Sequence, residues 1–218
     1  MAEESGLAQE GGRVAGELRQ FVVGPINTNC YAYVSDGECM VVDPGDAGAE
    51  IAERLEDVHV AVIVATHGHG DHVSGVAALK ERTGAPFAMS EADAELAEHA
   101  SVESQFADTD APAPDRLLAE GDVVEVGRAR FRVLEAPGHT PGGIVLLGEG
   151  IAFVGDTIFA GSAGRTDLKG GDAAALTRTL ARLKEEIPPE TMLCCGHGDL
   201  TSMDRELTAN PFLRGRRG

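Results

Sequence analysis

A chain of 218 residues, 43% of them hydrophobic, is long enough to bury one substantial core or two small ones at most. Tryptophan is absent and aromatic residues make up only 4%, so the core must be built from Val, Ile, Leu and Ala. Lys and Arg number 18 against 36 Asp and Glu, and the net charge of −18 argues against nucleic acid or an anionic membrane as partner.

The opening "MAEESGLAQEGGRVAGE" is acidic and Gly-rich and lacks a basic segment followed by an apolar one. It reads as a flexible acidic leader over residues 1–18, with one domain over 19–218. No apolar run reaches the ~18 residues of a membrane span. Cys30, Cys39, Cys194 and Cys195 match neither a disulfide framework nor a paired zinc-ribbon spacing. Reduced, buried thiols in a cytoplasmic protein are therefore expected.

"RQFVVG", "NCYAYVS" and "ECMVVD" read as a strand meander, with Asp36-Gly37 turning between the second and third. "AEIAERLEDV" puts Ile51, Leu55 and Val58 at helical spacing, and "VAVIVAT" is a buried strand. A helix from near His72 to about Thr83 follows. Next come a strand at "PFAMS" and a helix at "EADAELAEH" that Ser90 caps. Residues 101–121 form the one long irregular connection, the kind of segment that covers or lines a site.

In the second half, "DVVEVG", "RFRVLEA", "GIVLLGE" and "IAFVGD" are strands. "DAAALTRTLARLKEEI" is an amphipathic helix capped by Asp172, with Leu176, Leu180, Leu183 and Ile187 on one face. "TMLCCG" is a last strand, before a short helix from about Asp204. Strand-rich halves interleaved with helices predict an α/β protein in which two sheets pack face to face with helices outside.

"THGHGDHVSG" concentrates three of the seven histidines and an aspartate in six positions after a buried strand. His67, His69 and Asp71 alternate, so an extended backbone points them to one side, and Gly68 and Gly70 permit a tight turn. His72 opens the following helix and can point back. Imidazoles and a carboxylate converging on one point form a site for zinc or a similar metal. Further ligands are His139 in "PGHTPGG", Asp156 in "FVGDT" and His197 in "CCGHGD", each near the end of a strand and close to a glycine. His59, before a strand, and His99, ending a helix, read as ordinary surface or capping histidines.

The segments "GPINTNCYAYV", "VVDPG", "THGHGDH", "PGHTPGG", "GDTIFAGSAGR" and "DRELTANPFL" stand in the order found in the metallo-β-lactamase-fold superfamily. The chain resembles its glyoxalase II-like, hydroxyacylglutathione hydrolase-like members from about Phe21 to Leu213. That resemblance implies a single-domain, four-layer αβ/βα sandwich carrying two divalent metal ions, zinc first, with iron or manganese as alternatives. It implies that His67, His69 and His139 hold one ion, that Asp71, His72 and His197 hold the other, and that Asp156 bridges them. It also places Asp43 behind the ligands, Arg165 near the substrate, and Asp71 where it can position the attacking hydroxide or take its proton.

The activity implied is hydrolysis of small-molecule thioesters such as S-lactoyl-glutathione, by a hydroxide bridging two metals. Dedicated glyoxalase II enzymes continue into a helical domain that helps hold glutathione, whereas this sequence stops at "NPFLRGRRG". Several relatives also carry an aromatic where Asp167 stands, and an acid there disfavours a glutathione carboxylate. The rival readings are a mononuclear-iron persulfide dioxygenase, which shares a "GRTD" stretch like Gly164 to Asp167, and an acyl-lactone hydrolase. True β-lactamases of the fold usually lack the bridging aspartate. The seven ligands leave little room for a catalytically dead binding module.

Overall fold

Thr28–Ser35 is buried at every position in the computed structural model, which describes residues 16–214. A strand is covered on both sides only when both faces of its sheet are covered. Its sheet has the spatial order β1 (Glu17–Val23), β2 (Thr28–Ser35), β3 (Glu38–Val42), β4 (His59–Val64), β5 (Phe87–Ser90), β6 (Arg116–Leu118). β1 to β3 are antiparallel and β3 to β6 are parallel. Five helices pack on the outer face: α1 (Gly48–Arg54), α2 (Gly70–Val73), α3 (Val76–Thr83), α4 (Glu91–Glu98) and α5 (Ala100–Glu103).

The second sheet comprises β7 (Val123–Val126), β8 (Ala129–Glu135), β9 (Ile144–Gly148), β10 (Ile151–Gly155), β13 (Met192–Cys195) and β14 (Thr201–Ser202), side by side in that order. Between β10 and β13 the chain makes the ribbon β11 (Ile158–Phe159) and β12 (Ser162–Ala163), then α6 (Ala173–Glu186). α6 and α7 (Met203–Ala209) cover this sheet's outer face.

The strand period of two sorts side chains into separate cores. On β3, Cys39 and Val41 face the helices while Met40 and Val42 face the other sheet. On β10, Ile151 and Phe153 face the first sheet while Ala152 and Val154 face α6 and α7. Four aromatics interlock between the sheets: Tyr33 meets Phe131 edge-on with centroids 4.9 Å apart, and Phe153 lies 5.6 Å from Phe131 and 5.7 Å from Tyr31. This is the four-layer sandwich that the sequence predicts.

Most predicted elements form. Asp36 and Gly37 both take positive φ in the β2–β3 turn, Ser90 accepts from Ala92 N, and Leu176, Leu180, Leu183 and Ile187 are all buried. The four cysteines are free and buried, and burial pushes the Cys39 and Cys195 thiols up to about 12.

The differences have physical reasons. β1 begins at Glu17, and Leu18 is buried in the inter-sheet core, so the strand takes two residues from the stretch assigned to the leader. Residues 1–15 of that stretch lie outside the described residues. The helix expected from His72 to Thr83 is broken into α2 and α3. At the break Gly75 N donates to Pro44 O at 2.8 Å, and a Cβ on Gly75 would stand 2.6 Å from the same oxygen. The irregular connection contains α5 and β6, too short for periodicity to reveal.

α6 is anchored by Asp172, whose Oδ1 accepts from Ala174 N at 2.8 Å and Ala175 N at 2.9 Å. Replacing it by Ala leaves both donors uncapped. Asp172→Ala is expected to cost about 1 kcal/mol, lowering Tm by roughly 2–4 °C in a thermal melt for a chain of this size; an unchanged Tm would contradict the capping role.

Candidate metal centre

Five strands release their chain toward one edge of the sandwich. Asp43 directly follows β3, residues 66–72 follow β4, His139 lies in the loop after β8, Asp156 directly follows β10, and His197 follows β13. Hydrogen bonds stitch the two sheets at this edge. Ile144 N donates to Thr66 O at 2.8 Å, Asn29 N to Gly196 O at 2.8 Å, and Asn29 Nδ2 and Tyr31 Oη to Cys195 O at 3.0 and 2.7 Å.

All seven predicted ligands meet here. Candidate donor atoms fall within 4.8 Å of one another in three sets: His67–His69–His139, His67–His72–Asp156, and Asp71–His72–His197. Asp156 lies between them. Its Oδ2 is 3.4 Å from His139 Nε2 and 3.6 Å from His197 Nε2, and its Oδ1 is 3.4 Å from His72 Nε2. Asp71 Oδ2 is 3.1 Å from His197 Nε2 and accepts from Thr28 Oγ1 at 3.1 Å.

The alternation argument for Asp71 is replaced by a different geometry. His69 is the extended N-cap of α2, and Asp71 lies in that helix's first turn, next to His72. Gly68 and Gly70 serve close packing rather than a tight turn, since neither takes a positive φ. A Cβ on Gly68 would stand 2.6 Å from Asp93 O, and one on Gly70 2.4 Å from Ala107 Cβ.

Asp43 is buried, holds a left-handed φ of 54°, and accepts from Thr66 N at 2.6 Å and Thr66 Oγ1 at 2.7 Å. Thr66 has spent its one hydroxyl proton on Asp43, so toward His67 Nδ1, 3.1 Å away, it can only accept. The proton of His67 is thereby fixed on Nδ1 and its Nε2 lone pair is free. The carbonyl of Arg165, 2.7 Å from His139 Nδ1, fixes the same tautomer on His139. Asp43 Oδ2 also lies 3.1 Å from His72 Nδ1.

The electrostatics favour a cation. Burial, and then His72 and His139, hold His67 well below its ordinary value, and burial with His139 pulls His69 down to about 4. Both are neutral at pH 7. Burial pushes Asp71 and Asp156 up, but His72 and the neighbouring histidines hold both below the usual carboxylate range. His72 itself, although burial lowers it, is held well above its ordinary value by Asp71, Asp156 and Asp43.

His67 Nε2, His72 Nε2 and Asp156 Oδ1 are buried with no hydrogen-bond partner, at a cost of about 1–3 kcal/mol each if left so. His69 Nδ1 and His139 Nε2 face each other at 2.9 Å, which requires either a shared proton or a cation taking both lone pairs. Gly196 leaves the needed space: a Cβ there would stand 2.2 Å from Asp156 Oδ1 and 2.6 Å from His72 Cε1. The clusters fit a two-metal site.

A scan of family models matches residues 23–197 to the metallo-β-lactamase superfamily. The chain belongs to that superfamily. It is similar to an uncharacterised protein of Aquifex aeolicus, 41% identical over 203 residues, covering 89% of this chain and 96% of that one. It is also similar to the hydroxyacylglutathione hydrolase GloC of Haemophilus influenzae, 32% identical over 185 residues, covering 81% and 87%. Among solved structures, the B3 metallo-β-lactamase BLEG-1 superposes with a TM-score of 0.84 at 32% identity, covering 91% of this chain and 100% of that one. The protein TTHA1623 in a di-iron-bound form gives 0.81 at 35%, covering 88% and 98%. Membership of the superfamily supports metal binding and a hydrolase.

Arg165 is exposed beside His139, its guanidinium paired with Asp167 through two 2.7 Å hydrogen bonds. His59, exposed, begins β4, and His99 caps α4, both away from the clusters, as expected. Among the described residues no helix is long and apolar enough to cross a membrane.

Sequence reasoning missed Asp93. It lies in the first turn of α4, where an acid needs no further explanation, yet it is fully buried and accepts from Gly68 N at 3.0 Å and Gly142 N at 2.7 Å. One carboxylate thus ties the His67–His69 segment to the loop carrying His139. Both partners are donors, so an amide cannot replace it. Asp93→Asn is expected to lose about 2 kcal/mol in denaturant unfolding and to weaken metal retention. Unchanged stability and metal content would refute the tie.

Proposed function

We propose that this chain is a metal-dependent hydrolase of small-molecule thioesters, in the manner of hydroxyacylglutathione hydrolases. The observation that carries the reading is Asp156, whose two oxygens face both histidine clusters. His67, His69 and His139 would hold one divalent cation and Asp71, His72 and His197 the other, with Asp156 shared. Zinc is the first candidate, and the di-iron-bound form of TTHA1623 sets iron beside it. When bound, such a pair supplies Lewis acidity and a water whose pKa is lowered toward ~7.

The chain's own residues supply orientation and proton handling. Asp43 and Thr66 set the tautomer of His67, and the Arg165 carbonyl sets that of His139. Asp71 reaches the cavity and is ionised at neutral pH, so it acts as proton acceptor and not donor. Thr28 fixes its carboxylate through a hydrogen bond from the adjoining sheet edge.

If Asp156 is shared, its loss damages both sites. Asp156→Ala should purify with less than half the metal of the parent, whereas His67→Ala should chiefly empty one site. Elemental analysis of both variants checks this, and full occupancy in Asp156→Ala would overturn the shared ligand.

The activity test assays the metal-loaded protein on S-lactoyl-glutathione and simpler thioesters, with a β-lactam included because of the likeness to BLEG-1. Thioester turnover abolished by a chelator and restored by cation is expected. One iron per chain, oxygen uptake with a persulfide, and intact thioesters would replace this reading with a dioxygenase; β-lactam turnover alone would replace it with a β-lactamase.

A further inference from the structure

A cavity of about 760 Å³ opens over the two clusters, and His69, Asp71, His139, Asp156 and His197 form part of its wall. Among its other lining residues are five large apolar side chains, each from a separate segment. Ile26 comes from the β1–β2 turn, Leu96 from α4, Phe106 from the chain after α5, Phe159 from β11 and Leu168 from the loop before α6. Phe106 and Leu168 are each 40% exposed, and with Ile26, Leu96 and Phe159 they make one apolar lining beside the clusters.

The cavity's cations are already engaged. Arg165 is held bidentately by Asp167, and its guanidinium brings that carboxyl down to about 2. Lys169 is paired with Glu103 at 2.5 Å, a contact joining the end of α5 to the loop before α6. Each positive group is therefore matched by an acid at the same mouth. A ligand carboxylate entering here would meet Asp167 or Glu103 beside each cation, and the protein's net charge of −18.

We infer that the group this cavity receives beside the reacting bond is an uncharged hydrocarbon chain, so that the substrate is an apolar acyl thioester of an uncharged thiol and not a small hydroxyacyl group on a dicarboxylate thiol. The inference rests on the thioesterase reading for the reacting bond and on the cavity lining for the chain beside it. The apolar walls favour the chain by desolvation. The paired mouth selects against anionic thiols by setting an acid beside each cation.

The test measures binding of uncleavable thioethers to the metal-loaded protein by calorimetry. S-hexyl-N-acetylcysteamine carries a hydrocarbon chain and no carboxylate, and S-methylglutathione carries two carboxylates and no chain. The hexyl probe is expected to bind at least about tenfold tighter. Phe106→Ala and Leu168→Ala, partly exposed positions whose loss leaves the cores intact, should each weaken it about fivefold and leave S-methylglutathione unchanged. Asp167→Ala, which frees Arg165, should raise the affinity for S-methylglutathione. Equal or tighter binding of S-methylglutathione by the parent, or hexyl affinity unmoved by both alanine variants, overturns the inference. Because thioethers are not cleaved, correct binding without thioester turnover would sink the proposed reaction alone, and turnover with a glutathione preference would sink the apolar substrate alone.

Discussion

Imidazoles and ionised carboxylates packed at about 3 Å are the constraint on which this structure turns. His69 Nδ1 lies 2.9 Å from His139 Nε2, while Asp71 and Asp156 share His72 and His197 between them. Buried lone pairs without donors are costly, and a divalent cation relieves several at once. The histidine tautomers, the glycines beside Asp156 and the left-handed Asp43 all serve to hold those lone pairs inward.

The sandwich makes that concentration possible. Parallel pairing of β3 with β4 and of β10 with β13 sends several strand ends to one edge, and the hydrogen bonds of Asn29, Tyr31 and Ile144 lock the sheets together there. Candidate ligands from both halves of the chain then meet, each at the end of a strand of its own sheet. Asp93 adds a tie beneath the site, joining the two ligand loops that come from different sheets. A substitution far from the ligands can thus act on metal affinity through the loops it holds.

The seven candidate ligands could be picked out because four sit in one short motif and the other three follow apolar strands next to glycines. The layers were legible because strands buried on both faces read as continuous apolar runs, and α6 shows a clear helical face with its cap. What was hidden depends on distance along the chain. Asp93 reaches Gly68 and Gly142, which are 25 and 49 residues away, and locally it looks like an ordinary first-turn acid. Asn29 reaches Cys195 across 166 residues. The breaking of the predicted helix at Gly75 comes from a tertiary hydrogen bond to Pro44, and β6 is a strand only because β5 lies beside it. Asp167 was visible as an unusual acid, but its grip on Arg165 needed coordinates.

If this edge holds two cations, a calorimetric titration of metal into chelator-stripped protein, paired with a thermal melt before and after, will count them. Two equivalents bound per chain are expected, with a Tm that falls on stripping and returns on reloading, because the cation binds the folded site and not the unfolded chain. Binding of no cation, or a Tm indifferent to verified removal and return of metal, would contradict it.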